Sequence, residues 1–250
     1  MEVHHPHHPT HKKKWSEYII EFVMLFAAVT LGFFAENVRE HQVVEHKTEQ
    51  NLESIILDLR KDSVLIQNRL KEYSQASLLL EELNNLSINY HLSKISKNEF
   101  LDSAIKISYT LRFGTSFYIN NSSYKNTIAS GSFSNISSIE LKRTISDYYE
   151  VYGAKLNDNN RILDDVVEYY NVYTFPVPGG RFGKNKSEDV RKFLKEYYIS
   201  NNMMNKYLLD KEFLTFNQKA KDRVDIYSRL MDTFNEKNTE LLKLLEKELL

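Results

Sequence analysis

Five of the eight histidines, His4, His5, His7, His8 and His11, fall within the opening stretch "MEVHHPHHPTHKKKW". As neutral imidazoles they could collect Zn²⁺, Ni²⁺ or Cu²⁺. Pro6, Pro9 and Thr10 interrupt the run, and a short Pro-broken tail offers no outer shell of partners to fix a coordination geometry. Residues 1–14 therefore read as a disordered, His-rich tail, with no metal site assigned.

Further along, three more groupings have residue types that could do chemistry. Ser103-x-x-Lys106 and Ser122-x-x-Lys125 each spell an SxxK pair, but the companion SDN and KTG motifs of the penicillin-binding enzymes do not occur. "GGRFGK" (179–184) looks like a phosphate-binding loop, yet its two outer glycines are too close and Asn185 stands where Ser or Thr would hold Mg²⁺. His41, Glu45 and Glu49 share one helix face at i, i+4 and i+8, which reads as a solvated face, and no HExxH occurs. Cysteine is absent, excluding disulfides, thiolate metal sites and Cys nucleophiles. No catalytic residue and no cofactor is assigned, and the expectation is that the chain is not an enzyme.

The elements around these residues are more informative. Only 7 Gly and 4 Pro occur in 250 residues, which argues for long helices. From Tyr18 to Ala35 the sole ionisable residue is Glu21. Eighteen residues at 1.5 Å rise cover roughly 27 Å, enough for a bilayer's hydrocarbon core. Trp15 and Tyr18 suit the headgroup level. "GFFAEN" lacks a small-x-small cleavage site, so residues 15–36 read as a retained transmembrane anchor rather than a signal peptide. Lys12, Lys13 and Lys14 precede the span while Arg39 alone follows closely, placing the N-terminus in the cytoplasm and residues 37–250 in the periplasm.

At 100° per residue, Glu21, Leu25, Ala28, Gly32 and Ala35 lie within roughly 40° of one direction. Ala28 and Gly32 make a small-xxx-small pair that admits a second helix, and Glu21 on this stripe would be costly facing lipid. Glu21, Ala28, Gly32 and Ala35 are the expected helix–helix interface.

Beyond the anchor, 37–51 is a polar stem and 52–250 a helical bundle of about three long and three shorter helices, all-α. Leu52, Ile56, Leu59, Ser63, Ile66, Leu70, Tyr73, Ser77 and Leu80 form a heptad seam that ends near "NNLSINYH". Ser96-x-x-Glu99 and Ser137-x-x-Glu140 are capping boxes opening two further helices. Asn121 or Ser122 caps a short helix closed by Gly131. The helix after Ser137 carries Leu141, Ile145, Tyr148, Tyr152, Leu163, Val166, Tyr170 and Tyr173 on one side, with Gly153 marking a bend. "FPVPGGRFGKNK" is the clearest loop, and Ser187 caps a helix to about Ile199. Ala220, Val224, Tyr227, Met231, Phe234, Leu241 and Leu245 set the seam of the last helix. The 16 tyrosines cluster in "DYYEVY", "EYYNVY" and "EYY", and Tyr149, Tyr152, Tyr169 and Tyr173 are the expected partner surface.

"EFVMLFAAVTLGFFAENVRE" together with "SYKNTIASGSFSNISSIELKRTISDYYE" resembles an uncharacterised family of single-pass inner-membrane proteins of Bacteroidetes-type bacteria. The likeness rests on Tyr124, Ser130–Gly131, Phe133, Ile136 and the paired Tyr148–Tyr149. It implies an envelope-facing helical protein and lends no activity or catalytic residue.

Residues 37–250 carry 30 basic and 30 acidic residues, without the basic footprint that nucleic acid requires. The expected partners are the lipid bilayer and either another membrane protein or further copies of the chain. The expected function is a membrane-anchored scaffold or accessory subunit of a bacterial envelope complex, acting by protein–protein association. Two alternatives stay open: a sensory ligand-binding bundle with a separate transducing partner, and, more remotely, an envelope hydrolase.

Overall fold

In the computed structural model, one helix sets the architecture: α1 runs unbroken from Trp15 to His91, 77 residues. That is about 115 Å at 1.5 Å per residue. No proline and a single glycine, Gly32, interrupt this stretch, so nothing in the sequence breaks the hydrogen-bond ladder. The structure describes residues 14–111, 113–169 and 209–249, with the isolated positions 188 and 192. The His-rich tail, the "FPVPGGRFGKNK" loop, the helix after Ser187, Tyr170 and Tyr173 lie outside the described residues.

The helix ends at a left-handed residue. Ser93 has φ 57°, its N–H donates to the Tyr90 carbonyl, and the Lys94 N–H donates to the Asn89 carbonyl at 2.9 Å. This is a Schellman closure with Ser at the position glycine usually takes.

Up to Tyr169 the described residues form five further α-helices and a π-helical turn: α2 (Lys97–Thr110), α3 (Ser122–Ala129), α4 (Ser132–Asn135), α5 (Ile139–Ser146), the turn Asp147–Tyr152, and α6 (Gly153–Tyr169). The last helix, α7, spans Lys211–Glu248. No strand occurs among the described residues. Ser96 Oγ accepts from the Glu99 N–H at 3.2 Å, as the first capping box predicts. The second box is displaced by one residue: Ser138, not Ser137, accepts from the Leu141 N–H at 3.1 Å, and Ser137 instead donates to Glu248.

Helix α7 packs antiparallel along the distal half of α1, and α6 lies against α7. All seven residues predicted for the last seam, Ala220 through Leu245, are buried, joined by Phe213, Asn217 and Asn238. On α1 the buried stripe includes Leu52, Ile56, Leu59, Ile66, Tyr73 and Leu80 as expected, but Asp62 and Ala76 occupy it in place of Ser63 and Ser77. The stripe is wider than a two-helix seam because α1 contacts α2, α3 and α4 as well as α7. Before Thr48 none of it is buried: every residue from 15 to 47 is exposed.

The π-turn changes which tyrosines face inward. Gly153 N–H reaches back to the Tyr148 carbonyl, a five-residue step that inserts one extra residue into the turn. Tyr148 and Tyr149, adjacent in sequence, are therefore both buried. Gly153 suits the crossing, since an added Cβ would sit 3.4 Å from that carbonyl oxygen and 3.6 Å from Ile119.

Candidate functional site

Two regions concentrate features that simple helix packing does not require. The first is the exposed reach of α1. Glu21, Leu25, Ala28, Gly32 and Ala35 are all exposed, and a Cβ built on Gly32 meets nothing within 4 Å. The helix is long and apolar enough to cross a membrane, and no residue of its most apolar window is buried. The small residues thus form a shallow face that a second helix could approach closely.

The second region is a strap, residues 113–120, that runs without regular secondary structure between α2 and α3. Its backbone groups must find partners elsewhere, since a buried, unpaired N–H or C=O is costly. Buried side chains from three elements supply them. Tyr73 of α1 donates its hydroxyl to the Thr115 carbonyl at 2.8 Å. Asn160 of α6 donates to the Phe117 carbonyl at 2.7 Å, and the Phe117 N–H donates to the Tyr227 hydroxyl of α7 at 3.1 Å. Tyr227 in turn donates to Asn160, closing a three-way network. The Tyr73 and Tyr227 rings meet edge to face, 5.1 Å between centroids. Burial pushes the Tyr227 hydroxyl up to about 12, so it stays a neutral donor.

The far end of the strap is held by two carboxylates one helical turn apart on α1. Asn120 Nδ2 donates to Asp58 Oδ1 at 2.7 Å, while the Asn120 N–H donates to Asp62 Oδ2 at 3.2 Å. Asp58 also accepts from the Ser123 N–H in the first turn of α3, at 3.3 Å. Both carboxylates are buried, Asp62 with 2% exposure.

Below the strap, Asn51 of α1 grips the turn between α3 and α4. It donates to Ser130 Oγ at 3.1 Å and Ser132 Oγ at 2.8 Å, and accepts from Asn126 at 3.0 Å. Gly131 sits between those serines with φ 76°, a conformation that favours glycine. The "ASGSF" segment is therefore a left-handed turn pinned to α1. Four other residues of the family resemblance, Tyr124, Phe133, Tyr148 and Tyr149, form one aromatic cluster. Tyr124 stacks on Tyr149 at 4.4 Å and lies edge-on to Phe133, while Tyr148 stacks on Phe234 at 4.7 Å.

This packing corrects one sequence expectation. Tyr149 does not present a partner surface; it is a core residue with 7% exposure, turned inward by the π-turn. Tyr152 is half-buried beside a cavity of about 70 Å³ that Thr144, Asp147, Tyr148, Lys237 and Glu240 also line, with Lys237 Nζ 5.6 Å above its ring. That volume falls well below the ~300 Å³ typical of small-molecule sites. Tyr169 closes α6, its side chain outside the described residues, as are Tyr173 and His4, His5, His7, His8 and His11. Lys106 is exposed on α2, and Ser122 and Lys125 are exposed on α3. His41, Glu45 and Glu49 are exposed along α1, and among the described residues no group of three metal-ligating side chains converges.

The strap and its anchors escaped the sequence reading. Asp58, Asp62 and Asn160 break no helical pattern, and polar residues at helix-interior positions look solvated until the partner segment is in place. Gly114 was the available signal. A Cβ there would lie 2.8 Å from Glu72 Oε2 and 2.9 Å from Tyr73 Cε1, so any larger residue would force Tyr73 or the strap to shift.

Fold and site together define an all-α protein in which a single helix is both the candidate membrane span and the central core element. No protein-family model matches the chain, and no curated protein or solved structure matches it. The resemblance to the Bacteroidetes-type family stands on its quoted residues alone.

Proposed function

We propose that this chain is a single-pass, membrane-anchored association protein of a bacterial envelope, a scaffold or accessory subunit and not an enzyme. In this reading the span lies in the inner membrane with the N-terminus cytoplasmic and the bundle periplasmic, consistent with the Lys12–Lys14 flank. The observation that supports it most is the continuity of α1. One unbroken helix carries an exposed small-residue face at its start and the buried core of the bundle at its end. A partner engaged at Glu21, Ala28, Gly32 and Ala35 is thereby coupled rigidly to the domain above, with no hinge between.

The test is the mass and composition of the detergent-solubilised complex from the native host, wild type against Gly32→Ile. Since a Cβ at Gly32 meets nothing in the chain's own fold, the substitution reports on an external helix. A defined partner or oligomer in wild type that is missing from the variant supports the reading. Bare monomers in both cases overturn it.

A further inference from the structure

Between Leu52 and Leu80, α1 carries four exposed large apolar side chains: Leu57, Val64, Leu65 and Leu78, at 55, 61, 49 and 66% exposure. Leu57, Val64 and Leu78 recur at multiples of seven, and Lys71 holds the remaining place. At 100° per residue, Val64, Lys71 and Leu78 fall about 20°, 40° and 60° from the Leu57 direction, the slow drift of a seven-residue repeat on a straight helix. Leu65 lies about 80° to the other side. The core residues Leu59, Ile66, Tyr73 and Leu80 cluster within about 40° of the opposite direction. The stripe therefore runs along the back of α1, away from the bundle, and the fold leaves it bare.

Its phase relates it to the anchor. α1 is α-helical at every position from Trp15 to His91, so angular phase carries from one end to the other. Glu21 and Leu57 are 36 residues apart, which is ten whole turns. Leu25, Ala28, Gly32 and Ala35 also fall within about 40° of the Leu57 direction. The anchor face and the apolar stripe are one side of one helix, and the bundle occupies the other. Arg39, in the same line, is paired with Glu36.

We propose that the back of α1 is the contact surface for a second copy of this chain, the two α1 helices running parallel from the membrane to Leu78; this rests on the anchored reading above and names its partner. Three points select a second copy. A stripe that starts in the bilayer and ends about 65 Å beyond Ala35 needs an equally long helix rising from the same membrane, and α1 is such a helix. Anchoring sets every copy at one depth and one polarity. A two-fold axis along the stripe then brings Leu57 to Leu57, Val64 to Val64 and Leu78 to Leu78. With the stripe exposed along its length, no part of either bundle stands between the two helices. Asn68, in the seam between Val64 and Lys71, is the kind of polar residue that fixes register in parallel pairs, while Lys71 set against its own copy weakens the contact. The anchors hold the copies together and the stripe aligns them.

The experiment is disulfide formation between identical positions of the full chain in native membranes. The chain has no cysteine of its own, so each variant carries one. His46→Cys, Leu57→Cys, Val64→Cys and Leu78→Cys lie on the seam; His41→Cys and Val44→Cys sit on the stem about 160° and 140° away from it. Every replaced side chain is exposed, so no core contact is lost. Under mild oxidation, the seam variants give a species of twice 29.5 kDa, several-fold more abundant than from the two stem controls. Equal yields at seam and control positions mean random collision and overturn the proposal. So does a missing doubled species at Leu57→Cys, Val64→Cys and Leu78→Cys, even where the Gly32→Ile comparison shows that the anchor face is engaged. Seam adducts of another mass overturn the second copy while leaving the anchored reading in place.

Discussion

Asn238 of α7 donates its side-chain N–H to the main-chain carbonyl of Leu59 on α1, 3.1 Å away. Three heptads along both helices the same relationship recurs, Asn217 donating to the Leu80 carbonyl at 2.8 Å. Each carbonyl already closes a helical hydrogen bond and offers its second lone pair. Two buried asparagines thus fix one antiparallel register between two largely apolar faces, a role that a single buried Asn plays in coiled coils.

If these are register pins, each substitution leaves a buried deficit. Asn238→Ala also strips a donor from the Tyr148 hydroxyl, and is expected to cost about 1–3 kcal/mol in urea unfolding. Asn217→Ala, which loses contacts to Leu80 and Asn84, falls in the same range. Because the two sites lie roughly 30 Å apart along the helix, the double variant should be additive within about 0.5 kcal/mol. Strong non-additivity would mean that the two ends of the interface form as one unit.

Gly131 and Gly32 make a matched pair of controls. A Cβ at either meets no atom within 4 Å, yet Gly131 holds φ 76°. Gly131→Ala should therefore destabilise by about 1–2 kcal/mol through backbone strain alone. Gly32→Ala should leave the unfolding of the bundle unchanged. Equal effects at the two positions would contradict the left-handed turn.

Close approach, rather than dihedral angle, governs Gly114. Gly114→Ala drives a methyl group against Tyr73 and Glu72 and should displace the strap, while Tyr73→Phe leaves the Thr115 carbonyl unpaired at a cost of about 1–3 kcal/mol. Thermal unfolding of the two variants is the check. A Gly114→Ala protein as stable as wild type would show that the strap does not lie against Tyr73.

The end of α1 offers the opposite sign. Ser93 adopts φ 57° on an exposed turn, where a side chain brings strain and no compensating contact is formed. Ser93→Gly should stabilise by about 1 kcal/mol, seen as a raised urea midpoint with unchanged slope.

Helix-forming segments were legible because periodicity is a local signal. The α7 seam was readable from Ala220 to Leu245, and the scarcity of Gly and Pro foretold the length of α1. What escaped depends on chain segments far apart in sequence. Asp62 and Ala76 displaced Ser63 and Ser77 because α1 buries a face against the strap as well as against α7. Tyr149 turned inward because a π-turn adds one residue, which no periodic count anticipates. The strap itself has no pattern: its backbone is paired by Tyr73, Asn160, Tyr227 and Asp62, residues spread over three helices. The anchor face is a case of the reverse kind. Its residues were read directly, and the fold leaves them uncovered.

That face carries the central claim, and the absence of cysteine makes it directly measurable. Single cysteines placed from residue 24 to 36 in the full chain can each carry a maleimide photocrosslinker, activated in native membranes. The account predicts strong adducts of one defined mass at positions 25, 28, 32 and 35, and weak ones at Thr30 and Phe34 on the opposite side of the helix. Crosslinking that is uniform around the helix, or restricted to lipid at every position, would contradict it.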